Sequence, residues 1–320
     1  MDKGFRLVSF GESHGVALGG VVEGCLAGIK IDRQFIADEL NRRATGKTSS
    51  ESQRRESDEV EFLSGLLDDV TLGTPIAFVV RNTDARPKDY EALKDTYRPS
   101  HADYTYQAKY GIRDWRGGGR ASARAMLPYV VAGAIAKQIL ALNHIKVSSS
   151  VLSIGGETES SKIEALLKKC REEGDSVGGV VHGSITGLPA GLGEPLDDKF
   201  QACLAKAMFT IPAVKGFEYG DGFAMAAMKG SEANDEMVVC DPPSLRAERS
   251  GARQFTMRFL SNHSGGIQGG ITNGEEVYFN VAFKPIPTIG RGDRHDVCAL
   301  PRAAVIVEAM AALTMMQFMP

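Results

Sequence analysis

The sequence predicts a protein of mixed strands and helices, α/β or α+β, built as layered sheets and helices rather than as one open doubly wound sheet. Three observations carry this reading. Apolar residues recur at i, i+3 and i+4 over several segments of nine residues or more, the spacing of an amphipathic helix. Shorter stretches alternate apolar and polar residues between Gly, Pro or Asn, as strands joined by turns do. Finally, ALGGVVEGCLAGI (17–29) aligns without a gap on SVGGVVHGSITGL (176–188), with identities at Gly19/Gly178, Gly20/Gly179, Val21/Val180, Val22/Val181, Gly24/Gly183 and Gly28/Gly187. A repeat at almost half the chain length implies two similar halves, about 1–160 and 161–320, related by a pseudo-twofold axis. Sites tend to form where such halves meet.

In chain order, 6–10 reads as a strand, 20–22 as a strand, 35–43 as a helix, 75–80 as a strand and 126–142 as a helix. The second half continues with a helix at 163–173, a strand at 179–181, a helix at 200–208, strands at 222–228 and 276–283, and a helix at 301–316. IDRQF (31–35) echoes LDDKF (196–200), and Leu127-Pro128 echoes Leu300-Pro301 at the head of two Ala-rich runs. Proline is tolerated in a first helical turn and not deeper, so the helix after Arg124 starts close to Pro128.

Composition excludes several classes. At 43% hydrophobic and 24% charged residues the 320-residue chain is of ordinary globular type. Its net charge of −3 argues against a dedicated nucleic-acid binder. The first fifteen residues turn polar too soon for a secretory signal, so no export is expected. The most apolar stretches, 16–29 and 303–319, are interrupted by Glu23 and Glu308 and fall short of the ~20 residues that span a bilayer, so no membrane association is expected. Five cysteines without a C-x-x-C pair suit neither a disulfide framework nor a zinc knuckle, and a reducing cytoplasm is the simplest setting. No metal site is expected. Gly46-Lys47-Thr48 looks like the end of a P-loop, but Asn41 stands where its first glycine is required. No G-x-G-x-x-G lies between a strand and a helix, so a Rossmann site is unsupported.

RDWRGGGRASAR (113–124) sets four arginines around a triple glycine just before a helix. Glycine lets backbone approach a ligand, a helix N-terminus presents free N–H groups, and arginine forks grip phosphate or carboxylate, so the segment reads as an anion site. His14 lies in GESHG, His101 in RPSHADYTY close to Arg98 and Asp103, and His295 in GDRHD beside Asp296. Histidines to give protons, a carboxylate to take one and arginines to hold an anion are what acid-base chemistry on an anionic substrate needs.

These segments, GESHG (11–15), RPSHADYTYQAKYGIRDWRGGGRASAR (98–124), LPAGLGEP (188–195), AVKGFEYGDGF (213–223), NHSGGIQGG (262–270) and GDRHD (292–296), resemble chorismate synthases in that family's order and along nearly the whole chain. The resemblance implies an α+β fold, a β-α-β sandwich with an internal pseudo-twofold repeat, forming a single domain over 1–320 and assembled as a homotetramer. It also implies a phosphate lyase of the shikimate pathway, which makes aromatic amino acids. The reaction is the 1,4-anti elimination of phosphate from 5-enolpyruvylshikimate-3-phosphate to chorismate, with reduced FMN required and NADPH a further candidate as reductant. The flavin supplies the difficult chemistry and the protein supplies orientation and charge.

Carried over by position, His14 resembles the acid that protonates the leaving phosphate, His101 the histidine that protonates the reduced flavin, and Asp296 the carboxylate that helps a flavin nitrogen act as base. Ser13, Arg43, Arg98, Ser122, Ala123, Arg124 and Arg294 match substrate positions. Arg120, Ala121, Ser122, Ala213, Gly269, Lys284, Pro285, Ile286, Pro287, Thr288 and Arg294 match flavin positions. The chain departs from the family where Ala125-Met126-Leu127-Pro128 replaces Glu-Thr-Ala after the second arginine of the GRSSAR motif, at Ala121 where serine is common, and at Ser49 where many members have arginine. Lys47, Arg54 or Arg55 then remain to supply that charge. The segment between Lys284 and Gly292 is shorter than in the family. The segment 240–260 is longer and more basic, with Arg246, Arg249, Arg253 and Arg258 against Asp241 and Glu248, and reads as a charged surface insertion.

Overall fold

A computed structural model describes residues 4–44, 58–83, 90–91, 93–240, 256–290 and 296–319. Ser49, Lys47, Arg54, Arg55, Arg246, Arg249, Arg253, Arg294 and His295 lie outside the described residues. In chain order the first half contributes β1 (Arg6–Gly11), β2 (Ala17–Glu23), α1 (Arg33–Arg43), β3 (Val60–Phe62), β4 (Leu66–Leu67), β5 (Val70–Thr71), β6 (Ile76–Arg81), α2 (Asp103–Tyr110) and α3 (Leu127–Ala141). There follow β7 (Lys146–Ile154), α4 (Ser160–Glu173), β8 (Gly179–Thr186), α5 (Phe200–Thr210), β9 (Val214–Tyr219), β10 (Met237–Cys240), β11 (Thr256–Phe259), β12 (Ile267–Gln268), β13 (Ile271–Thr272), β14 (Val277–Phe283) and α6 (Leu300–Met315).

Two antiparallel four-stranded sheets, in the orders β1-β2-β6-β3 and β7-β8-β14-β9, form the outer layers. Between them α3 and α6 run against each other, α3 packing on β1 and β2, α6 on β7 and β8, and α5 on β9. The fold is therefore an α+β sandwich of β-α-β layers. Its core follows from period-two burial: Leu18 and Val22 on β2, Val181 and Ile185 on β8, and Val277, Phe279 and Val281 on β14 are all fully buried. The two long helices are apolar on nearly every face because both sides are covered. They approach closely at Gly133, where an added Cβ would lie 2.6 Å from the Cα of Ala309. No described helix is long and apolar enough to cross a membrane.

Setting aside α2, α4 and the short hairpins, the two sheets follow one order: two strands, a helix, an edge strand, the inner strand, then a long helix. A small clip is built twice. The Thr71 hydroxyl donates to the Leu26 carbonyl (2.6 Å) and accepts from the Ile29 amide (2.9 Å), while the Gly28 amide donates to the Thr71 carbonyl (2.8 Å). In the second half Thr272 makes the same bonds with Pro189 (2.8 Å), Leu192 (2.9 Å) and Gly191 (2.8 Å). Likewise Gly20 faces Phe78 across the β2–β6 pair, and Gly183 faces Phe279 across the β8–β14 pair. This geometry matches Gly20 with Gly183 and Gly28 with Gly191, four residues away from the ungapped sequence alignment. A slip of four is even, so it keeps every side chain on the same face and in/out alternation cannot detect it.

Five sequence-read helices coincide with α1, α3, α4, α5 and α6 within a few residues, and α3 begins with Pro128 in its first turn. The expected strand at 222–228 is instead a 3-10 helix over Gly222–Ala227. Left-handed Gly220 and Gly222 turn the chain there, and the Glu218 carboxylate accepts the Phe223 amide (3.2 Å), which closes the turn rather than extending a ladder. At the two ends of the basic segment, β10 and β11 pair as an antiparallel ribbon.

Candidate functional site

The sharpest feature of the sequence, the triple glycine, has its physical cause in packing. Gly117, Gly118 and Gly119 all have positive φ (62°, 85° and 52°). A Cβ on Gly117 would lie 2.0 Å from Cε1 of His14, and one on Gly118 would lie 2.8 Å from Cε1 of His101. Both histidines therefore rest directly on backbone, which only glycine permits.

His14 sits in the turn that leaves β1, where the Gly15 amide bonds the Glu12 carbonyl (3.0 Å). It is buried, its Nδ1 lies 3.0 Å from the hydroxyl of fully buried Ser13, and its ring meets Tyr90 edge-on at 4.8 Å between centroids. His101 sits in the loop before α2. Its Nδ1 lies between a donor, Arg98 Nη2 (3.1 Å), and an acceptor, Asp103 Oδ1 (3.0 Å). Arg98 forks onto Asp103 through Nε (2.8 Å) and Nη2 (2.9 Å). Burial would raise the Asp103 carboxyl, but the Arg98 side chain and backbone N–H hold it well below the usual range. Burial and then the Arg98 charge push His101 below its ordinary value, against the pull of Asp103.

Asp58 and Asn82 complete the basic side. Asp58 accepts from Arg43 Nη1 (3.3 Å) and from Arg124 Nη2 (3.0 Å), so one buried carboxylate holds two arginines. Asn82 Oδ1 accepts from Arg124 Nε (2.8 Å), and its Nδ2 donates to the carbonyls of Gly15 (2.8 Å) and Glu12 (3.3 Å). Arg120 turns back to Gly11 and Ser9, donating to the carbonyl (3.2 Å) and the hydroxyl (2.7 Å), which ties the glycine loop to β1. Ser122 caps the 3-10 turn Ala123–Met126 by accepting the Arg124 amide.

These segments surround a cavity of about 640 Å³, within the range of small-molecule sites. From the first half Arg43, Arg98, His101, Arg120, Ala121, Ser122, Ala123 and Arg124 line it. From the second half come Ala213, Lys284, Ile286, Pro287, Thr288 and Asp296, with apolar Val177, Leu300 and Ile306. Ala213 has a left-handed φ of 72°, and its carbonyl accepts the Lys284 amide (2.9 Å). The Lys284 ammonium bonds the Ser100 carbonyl (2.6 Å), joining the end of β14 to the loop before α2. Asp296 pairs with Arg302 at 2.6 Å.

The sequence reading and the geometry differ at several points. Of the four arginines in 113–124, Arg113 donates to the carbonyls of Leu93, Lys94 and Thr96, and Arg116 pairs with Asp114; neither lines the cavity. Ser13 and His14 stand behind Gly117 rather than on the lining, and Pro285 is also off it. Gly269 lies exposed in the β12–β13 turn, away from the cavity of this chain. Asp58, Tyr90, Lys215 and Arg302 line the cavity without having been singled out. Nothing local marks Asp58 or Asn82, since their partners are remote in sequence.

The protein-family model for chorismate synthase matches residues 5–319. Curated chorismate synthases from Christiangramia forsetii and Porphyromonas gingivalis are 46% and 48% identical; the alignments cover 99% and 98% of this chain and 96% and 94% of theirs. Both alignments run over 356 positions against the 320 residues here, so gaps fall in this chain. A crystal structure of chorismate synthase superposes with a TM-score of 0.79 at 30% identity, covering 99% of this chain and 91% of that one. With the β-α-β layering and a basic cavity bearing histidine and aspartate, this likeness leads to one conclusion: the chain belongs to the chorismate synthase family.

Proposed function

We propose that the cavity binds 5-enolpyruvylshikimate-3-phosphate together with reduced FMN and carries out the 1,4-anti elimination of phosphate that yields chorismate. The observation that supports this most is the convergence of Arg43, Arg98, Arg124 and His101 on one cavity that is also lined by Asp296 and by apolar Val177, Leu300 and Ile306. A flavin suits such a site, because its ring needs an apolar wall and its phosphate needs cations, here Arg120, Lys215, Lys284 and Arg302. When bound, reduced FMN supplies the reversible electron donation that the departing allylic phosphate calls for.

The protein's own part is charge and protons. Arg43 and Arg124, held by Asp58, grip a ligand that carries one phosphate and two carboxylates. His14 holds the proton for the leaving phosphate, with Ser13 fixing the ring. His101 is braced at Nδ1 by Asp103 and Arg98, so its proton traffic runs at Nε2 beside Gly118. Asp296, oriented by Arg302, stands as the carboxylate that would help a flavin nitrogen act as base. In this reading the enzyme is a cytoplasmic homotetramer, and NADPH is a candidate source of reducing equivalents.

An anaerobic assay with the substrate and photoreduced FMN tests this by following chorismate absorbance and phosphate release together. Equal amounts of both products are expected, and none without reduced flavin. Binding of both ligands with no product would establish a binding homologue instead. Oxidation of NADPH by the protein with FMN, also without oxygen, would show that it reduces its own flavin.

A further inference from the structure

Asn82 follows the last residue of β6, where its amide continues the β2–β6 ladder by bonding the Val16 carbonyl (3.0 Å). It is half-buried and does not line the cavity. Its side chain nevertheless joins two parts of the site that are remote in sequence. Oδ1 receives Nε of Arg124, and Nδ2 grips the carbonyls of Glu12 and Gly15 that flank Ser13 and His14. An amide is the one kind of side chain of this size that offers an acceptor to a cation and donors to carbonyls at once. With Asp58 Oδ1 on Nη2, Asn82 sets the plane of the Arg124 guanidinium, and in the same act it sets the position of the turn that carries the histidine.

We propose that Asn82 is a positioning residue for the elimination, keeping the anion grip of Arg124 and the acid of His14 in register on the same departing phosphate. This rests on the roles given to Arg124 and His14 above. Misplacing a reacting group by about 1 Å can cost roughly 10²-fold in rate, so a strap between the two is consequential although it touches neither substrate nor cofactor.

The test is a double-mutant cycle on kcat, with thermal melting and substrate affinity measured alongside. His14→Ala alone should lower kcat by roughly 10²–10⁴-fold. Asn82→Ala should lower kcat by roughly 10²-fold and weaken substrate binding by about tenfold, while His14→Ala in the Asn82→Ala background should cost far less than in the native protein. Asn82→Asp keeps the acceptor for Arg124 but sets a carboxylate against the Glu12 and Gly15 carbonyls. It should therefore retain affinity while losing turnover, a split that simple loss of folding does not produce. Additive effects of Asn82→Ala and His14→Ala, or full turnover in Asn82→Asp, would overturn the proposal. If His14→Ala itself is without effect, the acid assignment fails instead. If Asn82→Ala does not fold, the affinity and turnover of Asn82→Asp decide the matter alone.

Discussion

At the scale of single residues, the site depends on how little space separates catalytic side chains from backbone. Gly117 combines a φ of 62° with a ring 2.0 Å from where a Cβ would stand, so Gly117→Ala forces His14 to move. Turnover in that variant should fall by roughly 10²-fold, and the left-handed φ should lower stability by about 1–2 kcal/mol, as measured by steady-state kinetics and calorimetry. His101 gives a prediction about pH. Burial and Arg98 hold the empty protein's imidazole below 6.5, so it is mainly neutral at pH 7. An anionic ligand beside it favours the imidazolium, and the ionisation seen in kcat should lie higher than the one seen in kcat/KM, which lies below 6.5. Both should vanish in His101→Asn. Ionisations unchanged in that variant would assign them to another group.

At the scale of elements, the close crossing of α3 and α6 fixes the spacing of the inner layer. Alanine is the better helix former by about 1 kcal/mol, yet a methyl group at Gly133 meets Ala309 within a bond length or so of overlap. Overpacking should win, and Gly133→Ala should destabilise by about 1–3 kcal/mol, read as a lower urea midpoint with an unchanged slope. These helices were also the most legible part of the sequence, since apolar periodicity over fifteen residues leaves little ambiguity. Strands fared unevenly. β7 went unread because Ser148, Ser149 and Ser150 dilute its alternation and a register shift between Val151 and Ser153 breaks it. The 222–228 segment misled because a run of small and apolar residues carries no record of the Glu218 carboxylate that bends it. In the site, motif residues such as His14, His101 and Arg124 were visible from local spacing. Asp58 and Asn82 were not, because their meaning lies in contacts made across the fold.

At the scale of the whole molecule, we propose that the chain arose from one unit used twice, with the Thr71 and Thr272 clips as the shared detail. The charges between the halves are less even-handed. Glu308 on α6 is buried and pairs with Lys137 Nζ (2.6 Å) and Arg42 Nη2 (2.7 Å), while Glu39 joins both cations and Ser149 bonds the same carboxylate. Burial would raise Glu308, but Arg42 and Lys137 lower it below 4.5. A lowered carboxylate stabilises the fold above its unfolded value, and this contribution is lost as pH falls through the folded one. Melting curves of the native protein and of Glu308→Gln should accordingly stand apart above pH 4.5 and draw together as pH falls through the lowered folded-state value. At neutral pH Glu308→Ala, which leaves the largely buried Lys137 and the partly exposed Arg42 with Glu39 as their remaining carboxylate, should cost about 1–3 kcal/mol.

That cluster also bears on ancestry. Aligning the two Leu-Pro helix starts sets Glu308 against Ile135 and Lys137 against Met310. A symmetric pair of first halves would bury lysine facing isoleucine, and a pair of second halves would bury glutamate facing methionine. In the first pairing each lysine would keep only Glu39 of its own half, and in the second each glutamate would lose both of its cations. On the duplication proposed above, the two copies have since parted in charge, so that the buried carboxylate of one half is neutralised by cations of the other.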